Sequence, residues 1–243
     1  MKKLVLITVI TFLSINLSPA QQGVNPQIPL IGDEAPSFDA MSTNGQISFP
    51  EDFSENWKIL FAHPRNFTPV CSSEILELAY NQEEFKRMDT DIIVISTDEL
   101  DLHHRWKAAL EDVKPLEREK TAKIKFPIVA DPNYLISNKY GMLESIVSPG
   151  QNIRGVFFID PENKIRAFQF YPNEVGRSID EIKRTLVALK TNYNDNTALL
   201  PVNWNPGDDV MVPYPDSYEM EIPVNPDSEY YKLTWFMLYR KNE

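Results

Sequence analysis

Cys71 is the only cysteine among 243 residues, and it ends the run "HPRNFTPVC". Thr68 and Pro69 are residue types that start helices. A threonine suits the N-cap, and a proline suits the first helical position, where its missing N–H breaks no hydrogen bond. Cys71 then falls at the third helical position, in a turn whose backbone N–H groups have no intrahelical partner. Those donors and the positive end of the helix dipole favour a thiolate, the nucleophilic form of cysteine. The helix end supplies about 0.3–1 kcal/mol toward ionisation. A guanidinium about 4 Å away supplies roughly 4 kcal/mol at an effective dielectric near 20. A cation therefore decides, and Arg65, Arg154 and Arg177 are the candidates that spacing leaves open.

Elements that could position these residues flank them. Residues 57–63, "WKILFAH", form a continuous apolar run, the pattern of a strand buried on both faces. Pro64 cannot continue a central strand, because it has no N–H to donate. Residues 91–97 and 155–160 read as further buried strands, and 126–131 as a shorter one. Residues 165–171 alternate more, and Asp160-Pro161-Glu162-Asn163 supplies turn chemistry that predicts a hairpin with the strand before it. Helical spacing of Ile75, Leu78, Ala79, Gln82 and Phe85 predicts a helix to about Arg87, and another covers about 100–110. "SIDEIKRTLVALKTNY" predicts a third, with Ser178 as its cap and Glu181 three positions later. Strands alternating with helices imply an α/β sandwich, and the hairpin makes its sheet mixed.

Other segments frame this core. "MKKLVLITVITFLSINLSPA" has two lysines, an apolar stretch and small residues at 18 and 20, the form of a signal peptide cleaved before Gln21. The stretch is shorter than the roughly 20 apolar residues that span a bilayer. Residues 21–38 are Pro-rich and predict an extended arm, and the charge run 114–125 predicts a solvated loop or helix face. Composition shifts near Asn192 toward Pro, Asn, Asp and Tyr, so the expected units are 1–20, 21–191 and a small β-rich unit 192–243. Strands are expected there at "DVMV" and "YKLTWFMLY", with aromatics that cover a partner, cover the main unit or pack on themselves.

Composition is 42% hydrophobic and 24% charged, with a net charge of −11 that becomes −13 without Lys2 and Lys3. That balance disfavours nucleic acid and anionic membranes as partners. The leader predicts export, to the periplasm or outside the cell, and no membrane association after cleavage. One cysteine cannot form an internal disulfide, so the thiol is inert, shared with another chain or reactive. With three histidines and one cysteine, nothing calls for a metal or cofactor. Adjacent His103 and His104 face different sides of any helix.

Pro64-x-x-x-Thr68-x-x-Cys71 at a strand-to-helix junction resembles the active-site motif of peroxiredoxins. "HPRNFTPVCSSE" is similar to their one-cysteine branch with a long C-terminal domain, as are "GDEAPSF", "IRGVFFID", "GRSIDEIKR" and "PVNWNPGDDVMV". The resemblance implies a thioredoxin-like three-layer sandwich and a homodimer assisted by the C-terminal unit. It implies that Cys71 is the peroxidatic cysteine, Thr68 its hydroxyl partner, Pro64 a shield and Arg154 the activating guanidinium. Glu74 would orient an arginine, with Arg177 as a second active-site arginine. The implied reaction is thiol-dependent reduction of hydrogen peroxide and organic hydroperoxides, with the sulfenic acid resolved by an external thiol. Taken singly, Pro64 and Thr68 read as turn and cap residues, Arg154 as a residue before a strand, and Glu74 as an acid favoured by the helix dipole. Their joint occurrence around the sole cysteine points to a site. His63 is either a donor near the sulfur or a strand-end histidine. The competing function is a non-catalytic chaperone-like or scaffold dimer on the same fold. Some members of this branch carry a phospholipase site built on Gly-x-Ser-x-Gly. Here Asn56 stands at the serine position and Pro50 at the histidine position.

Overall fold

The computed structural model describes residues 28–53, 55–143, 150–213 and 228–242, so the leader read in residues 1–20 lies outside the described residues. At the centre, β3 (Trp57–Ala62) and β4 (Thr90–Ser96) pair in parallel, and all six residues of β3 are buried. β5 (Ile128–Ala130) continues the parallel set beyond β4. On the other side, β6 (Arg154–Ile159) runs antiparallel to β3, and β7 (Ile165–Tyr171) pairs back on β6 as the expected hairpin. Asn163 takes a left-handed φ of +64° in that turn, a conformation asparagine tolerates.

An antiparallel hairpin, β1 (Phe38–Ser42) and β2 (Gly45–Phe49), closes the far edge, giving the order β2-β1-β5-β4-β3-β6-β7. The sequence reading stopped its arm at Phe38 and missed this hairpin. Its signal is the Asn44-Gly45 pair, with Gly45 at φ +100°. A short helix, α3 (Leu135–Lys139), was missed too, because five residues are too few to show helical periodicity.

Helices cover both faces because successive strand residues point to opposite sides. Ile59, Phe61, Val94 and Val156 meet α1 (Pro69–Arg87), α2 (Leu100–Glu111) and α4 (Ile179–Asn194) on one face. Leu60, Ile93, Ile95 and Phe157 meet Phe38, Phe49, Ile136 and Tyr140 on the other. The result is the mixed-sheet α/β sandwich that the alternating pattern predicted, in the three layers that the resemblance implies. The α4 cap is as expected, since the Glu181 N–H donates to Ser178 Oγ at 3.2 Å. The charge run 114–125 is a loop, tied down where Arg118 meets Glu77 and Lys123 meets Glu111.

The C-terminal unit is a three-stranded antiparallel sheet, β8 (Val210–Val212), β9 (Tyr230–Thr234) and β10 (Met237–Arg240), ordered β8-β10-β9. "YKLTWFMLY" is therefore not one strand but a hairpin turning at Trp235 and Phe236, which pairs its polar backbone internally. Tyr231 stacks on Tyr239, so part of the aromatic set packs on itself, while Leu233, Trp235 and Phe236 are exposed. Trp204, Ala198 and Val210 anchor the unit, packing with Val187 and Ala188 of α4.

Candidate active site

The site forms where β3 ends and α1 begins. The His63 N–H still bonds to the Ile95 carbonyl, and Pro64 then diverts the chain from the sheet. Thr68 is the N-cap with extended backbone (φ −103°, ψ 149°), and Pro69 opens the helix. The first i→i−4 bond runs from the Ser72 N–H to the Thr68 carbonyl, which leaves the Cys71 N–H ahead of the ladder. The sequence reading placed these positions correctly, but the Thr68 side chain does not cap the helix. Its hydroxyl donates backward to the Arg65 carbonyl at 2.9 Å, so its lone pairs remain available as acceptors.

Cys71 is fully buried, and Arg154 decides the choice among the three candidate cations. Arg154 Nη1 lies 3.2 Å from Cys71 Sγ and 2.7 Å from Glu74 Oε2. Its Nε and Nη2 donate to the Asn173 carbonyl at 3.0 and 2.6 Å. Four of the five guanidinium N–H groups are thereby used, which leaves one on Nη2 without a partner among the described residues.

Arg177 occupies the other side of Glu74. Its Nε and backbone N–H donate to Glu74 Oε1 at 2.8 Å each, and its Nη2 donates to Oε2 at 2.7 Å. Nη1 donates to the Ala62 and Gly155 carbonyls, and the guanidinium lies 3.3 Å from the centre of the Phe61 ring. Arg177 thus reaches the sulfur through Glu74 and Arg154 rather than by direct contact. Burial pushes its guanidinium down from its ordinary pKa, opposed by Glu74. Gly176 lets this segment approach α1, because a Cβ there would sit 3.3 Å from Val70 Cγ1.

Glu74, Arg154 and Arg177 are all nearly inaccessible to water. Two guanidiniums and one carboxylate leave a surplus of one positive charge beside the sulfur, and a thiolate is the charge that balances it. A cleft of about 350 Å³ opens over this arrangement, lined by Pro64, Thr68, Pro69, Val70, Arg154 and Pro172 among others. Arg65, the third candidate, lines the cleft as an exposed side chain and makes no contact with the sulfur.

His63 resolves as the strand-end histidine. It is fully buried, and its Nε2 pairs with Asn66 Oδ1 at 2.8 Å rather than with Cys71. Asn66 Nδ2 reaches His103 Nδ1 at 2.9 Å. Burial, reinforced by His103, Arg177 and Arg154 and opposed by Asn66, pushes the His63 pKa down to about 3. Burial likewise lowers His103 to about 4, against Asp98 and the Val129 carbonyl and with help from His104. His103 is buried and His104 exposed, as their adjacency on a helix requires. Sequence reasoning missed Asn66, whose partners are far from it in the chain.

The AhpC/TSA family matches residues 31–168, so the chain belongs to the AhpC/TSA peroxiredoxins. The C-terminal domain of 1-Cys peroxiredoxin matches residues 194–222, and with Cys71 as sole cysteine the chain falls in the one-cysteine branch. It is a thiol-dependent peroxidase of that family. A peroxiredoxin of Methanosarcina mazei is 43% identical over 88% of this chain and 99% of its own. One from Thermotoga maritima is 34% identical over 88% of this chain and 98% of its own. Among solved structures, a yeast mitochondrial 1-Cys peroxiredoxin, studied for thiol resolution via glutathione/thioredoxin systems, matches at TM-score 0.73. It is 28% identical over 88% of this chain and all of its own. A cysteine-to-serine mutant of Arenicola marina peroxiredoxin 6 matches at TM-score 0.72, 28% identical over 88% of this chain and 98% of its own.

Proposed function

We propose that Cys71 is the peroxidatic cysteine and reduces hydrogen peroxide and organic hydroperoxides in the cleft above it. The observation that carries the assignment is the 3.2 Å contact between Arg154 and a buried sulfur at the third position of a helix. The thiolate attacks the terminal oxygen of the hydroperoxide, and an S–O bond forms as the O–O bond breaks. Cys71 becomes a sulfenic acid, and the departing oxygen leaves as alkoxide or hydroxide and takes up a proton. Arg154 and the Cys71 N–H are donors toward the charge that moves along the O–O bond. The Thr68 hydroxyl, committed as a donor to Arg65, accepts from the hydroperoxide O–H. Pro64 walls the cleft, Glu74 orients both arginines, and Arg177 fixes Glu74. A scaffold has no need of a guanidinium held against a buried sulfur.

With one cysteine, resolution requires an external thiol, and a glutathione- or thioredoxin-type donor is the class that the yeast relative suggests. Oligomerisation through the C-terminal unit, as a homodimer, would cover the exposed Leu233, Trp235 and Phe236. The leader, cleaved before Gln21, would place the enzyme in the periplasm or outside the cell, with units 21–191 and 192–243 in the mature chain. With Asn56 donating to Asp91 where a lipase serine would stand, no serine-dependent lipid hydrolysis is expected. The test is stopped-flow mixing of reduced protein with hydrogen peroxide, with sulfenic acid trapping. Fast oxidation in wild type and none in Cys71→Ser supports the assignment, and equal peroxide consumption by the two overturns it.

A further inference from the structure

The loop between β3 and α1 carries Pro64, Thr68 and the turn that holds Cys71, yet its backbone is not relaxed. Phe67, between Asn66 and Thr68, has φ +55°, a left-handed conformation that a bulky side chain rarely adopts, and its side chain is 54% exposed. A residue in that region persists only where its surroundings hold it. The neighbouring residue supplies the hold. The Asn66 backbone N–H donates to Asp98 Oδ2 at 2.6 Å, and its side chain bridges His63 and His103 at 2.8 and 2.9 Å. Three elements thereby grip one loop residue: the end of β3, the turn after β4, and α2. Beyond Cys71, the Trp106 indole N–H of α2 donates to Ser72 Oγ at 3.2 Å, which ties the same turn to the same helix.

The bridge has a defined proton arrangement. Asn66 Oδ1 accepts, so His63 Nε2 carries a proton; Asn66 Nδ2 donates, so His103 Nδ1 carries none. The other His103 nitrogen, Nε2, then carries the ring proton, and like His63 Nδ1 it makes no hydrogen bond among the described residues. An amide has one acceptor and one donor end, so it matches a ring that donates at Nε2 on one side and a ring that accepts at Nδ1 on the other, and the accepting ring, His103, must be neutral. The charges that face the bridge are Asp98 from the β4–α2 turn, His104 from α2, Arg154 from β6 and Arg177 from the segment before α4.

We propose that Asn66 is a positioning residue, whose neutral bridge between His63 and His103 holds the strained active-site loop in one geometry across the physiological pH range. The inference rests on the reading of Cys71 as the reacting sulfur, because its functional readout is Cys71 oxidation. Burial of both rings agrees with it, since both are held neutral well below neutral pH. A carboxylate at this position would have no proton to offer His103 Nδ1. His103 could meet it only as the other tautomer or as an imidazolium, and a buried carboxylate favours the imidazolium, so the bridge would lose its neutrality.

Two measurements test this. In wild-type protein labelled at its three histidines, imidazole NMR between about pH 5.5 and 8 should show no titration of His63 or His103. Titration of His63 or His103 in that window overturns the proposal, and this arm needs no variant to fold. In stopped-flow oxidation by hydrogen peroxide, Asn66→Ala should be slower by about tenfold or more at every pH, as a displaced reacting group would be. Asn66→Asp, whose carboxylate favours an imidazolium, should bring His63 or His103 into titration in that window. A wild-type rate in Asn66→Ala, or an Asn66→Asp protein in which neither His63 nor His103 titrates in that window, overturns it. Peroxide consumption that survives in Cys71→Ser would sink the functional reading instead, while the histidine spectra still judge the bridge.

Discussion

Two polar networks flank the Cys71 turn, and they are built on opposite principles. On the side of β6 and α4, Glu74, Arg154 and Arg177 are buried as full charges, each with charged or carbonyl partners. On the side of α2, His63, Asn66 and His103 are buried as neutral groups joined by single hydrogen bonds. Burying charge is expensive, and an interior ion cluster is tolerated where partners surround it. The charged network thus supplies the electrostatics of the reaction, because a surplus positive charge beside a sulfur favours a thiolate. The neutral network supplies shape without adding charge, so it does not compete with Arg154 for the sulfur.

The contrast predicts unequal responses to damage. Glu74→Gln leaves Arg154 and Arg177 buried with a partner that cannot balance them. A broken buried pair costs about 3–5 kcal/mol, so thermal unfolding should drop by on the order of 10 °C. A melting point within a degree or two of wild type would remove Glu74 from its central place. Acid should attack the neutral network. The folded pKa values of His63 and His103 lie near 3 and 4, below the ordinary value of 6.5. The unfolded chain therefore binds protons first as pH falls through 6.5, and stability that is present above that pH is lost on the way down. One pKa unit corresponds to about 1.4 kcal/mol, so the loss reaches a few kcal/mol in acid. Melting curves should show it, and His103→Gln should flatten the slope; an unchanged slope contradicts the burial argument. The smallest effect is expected at Thr68. Thr68→Val keeps the shape and loses the acceptor, which should slow peroxide oxidation about tenfold, roughly the 1.4 kcal/mol of one hydrogen bond. Thr68→Ser should recover most of it.

What the sequence made legible divides along the same line. Pro64, Thr68 and Cys71 lie within eight residues, and their types announce a strand end, a cap and a helix start, so local chemistry sufficed. Arg154 needed the family resemblance, since spacing alone could not choose among three arginines. Arg177 read as a weaker match, because its bonds to Glu74 span 103 residues and say nothing locally. Asn66 was invisible as a bridge: His103 lies 37 residues away, and only the packing of α2 against the β3 end brings them together. The same holds for the fold. Buried strands and the capped α4 announce themselves by pattern, whereas β1–β2 alternates too weakly and needed its Asn44-Gly45 turn to be weighed. The β9–β10 hairpin looked like one strand because Trp235 and Phe236, at its turn, are residue types found inside strands.

The contact between Arg154 and the Cys71 sulfur is central to the proposed chemistry. Its most direct test is the second-order rate of Cys71 oxidation by hydrogen peroxide in Arg154→Met, measured by stopped flow beside wild type. Removing one donor aimed at developing charge typically costs a factor of roughly 10²–10³, and that loss, with the fold intact by circular dichroism, is the predicted result. A folded Arg154→Met protein that reacts as fast as wild type would contradict it.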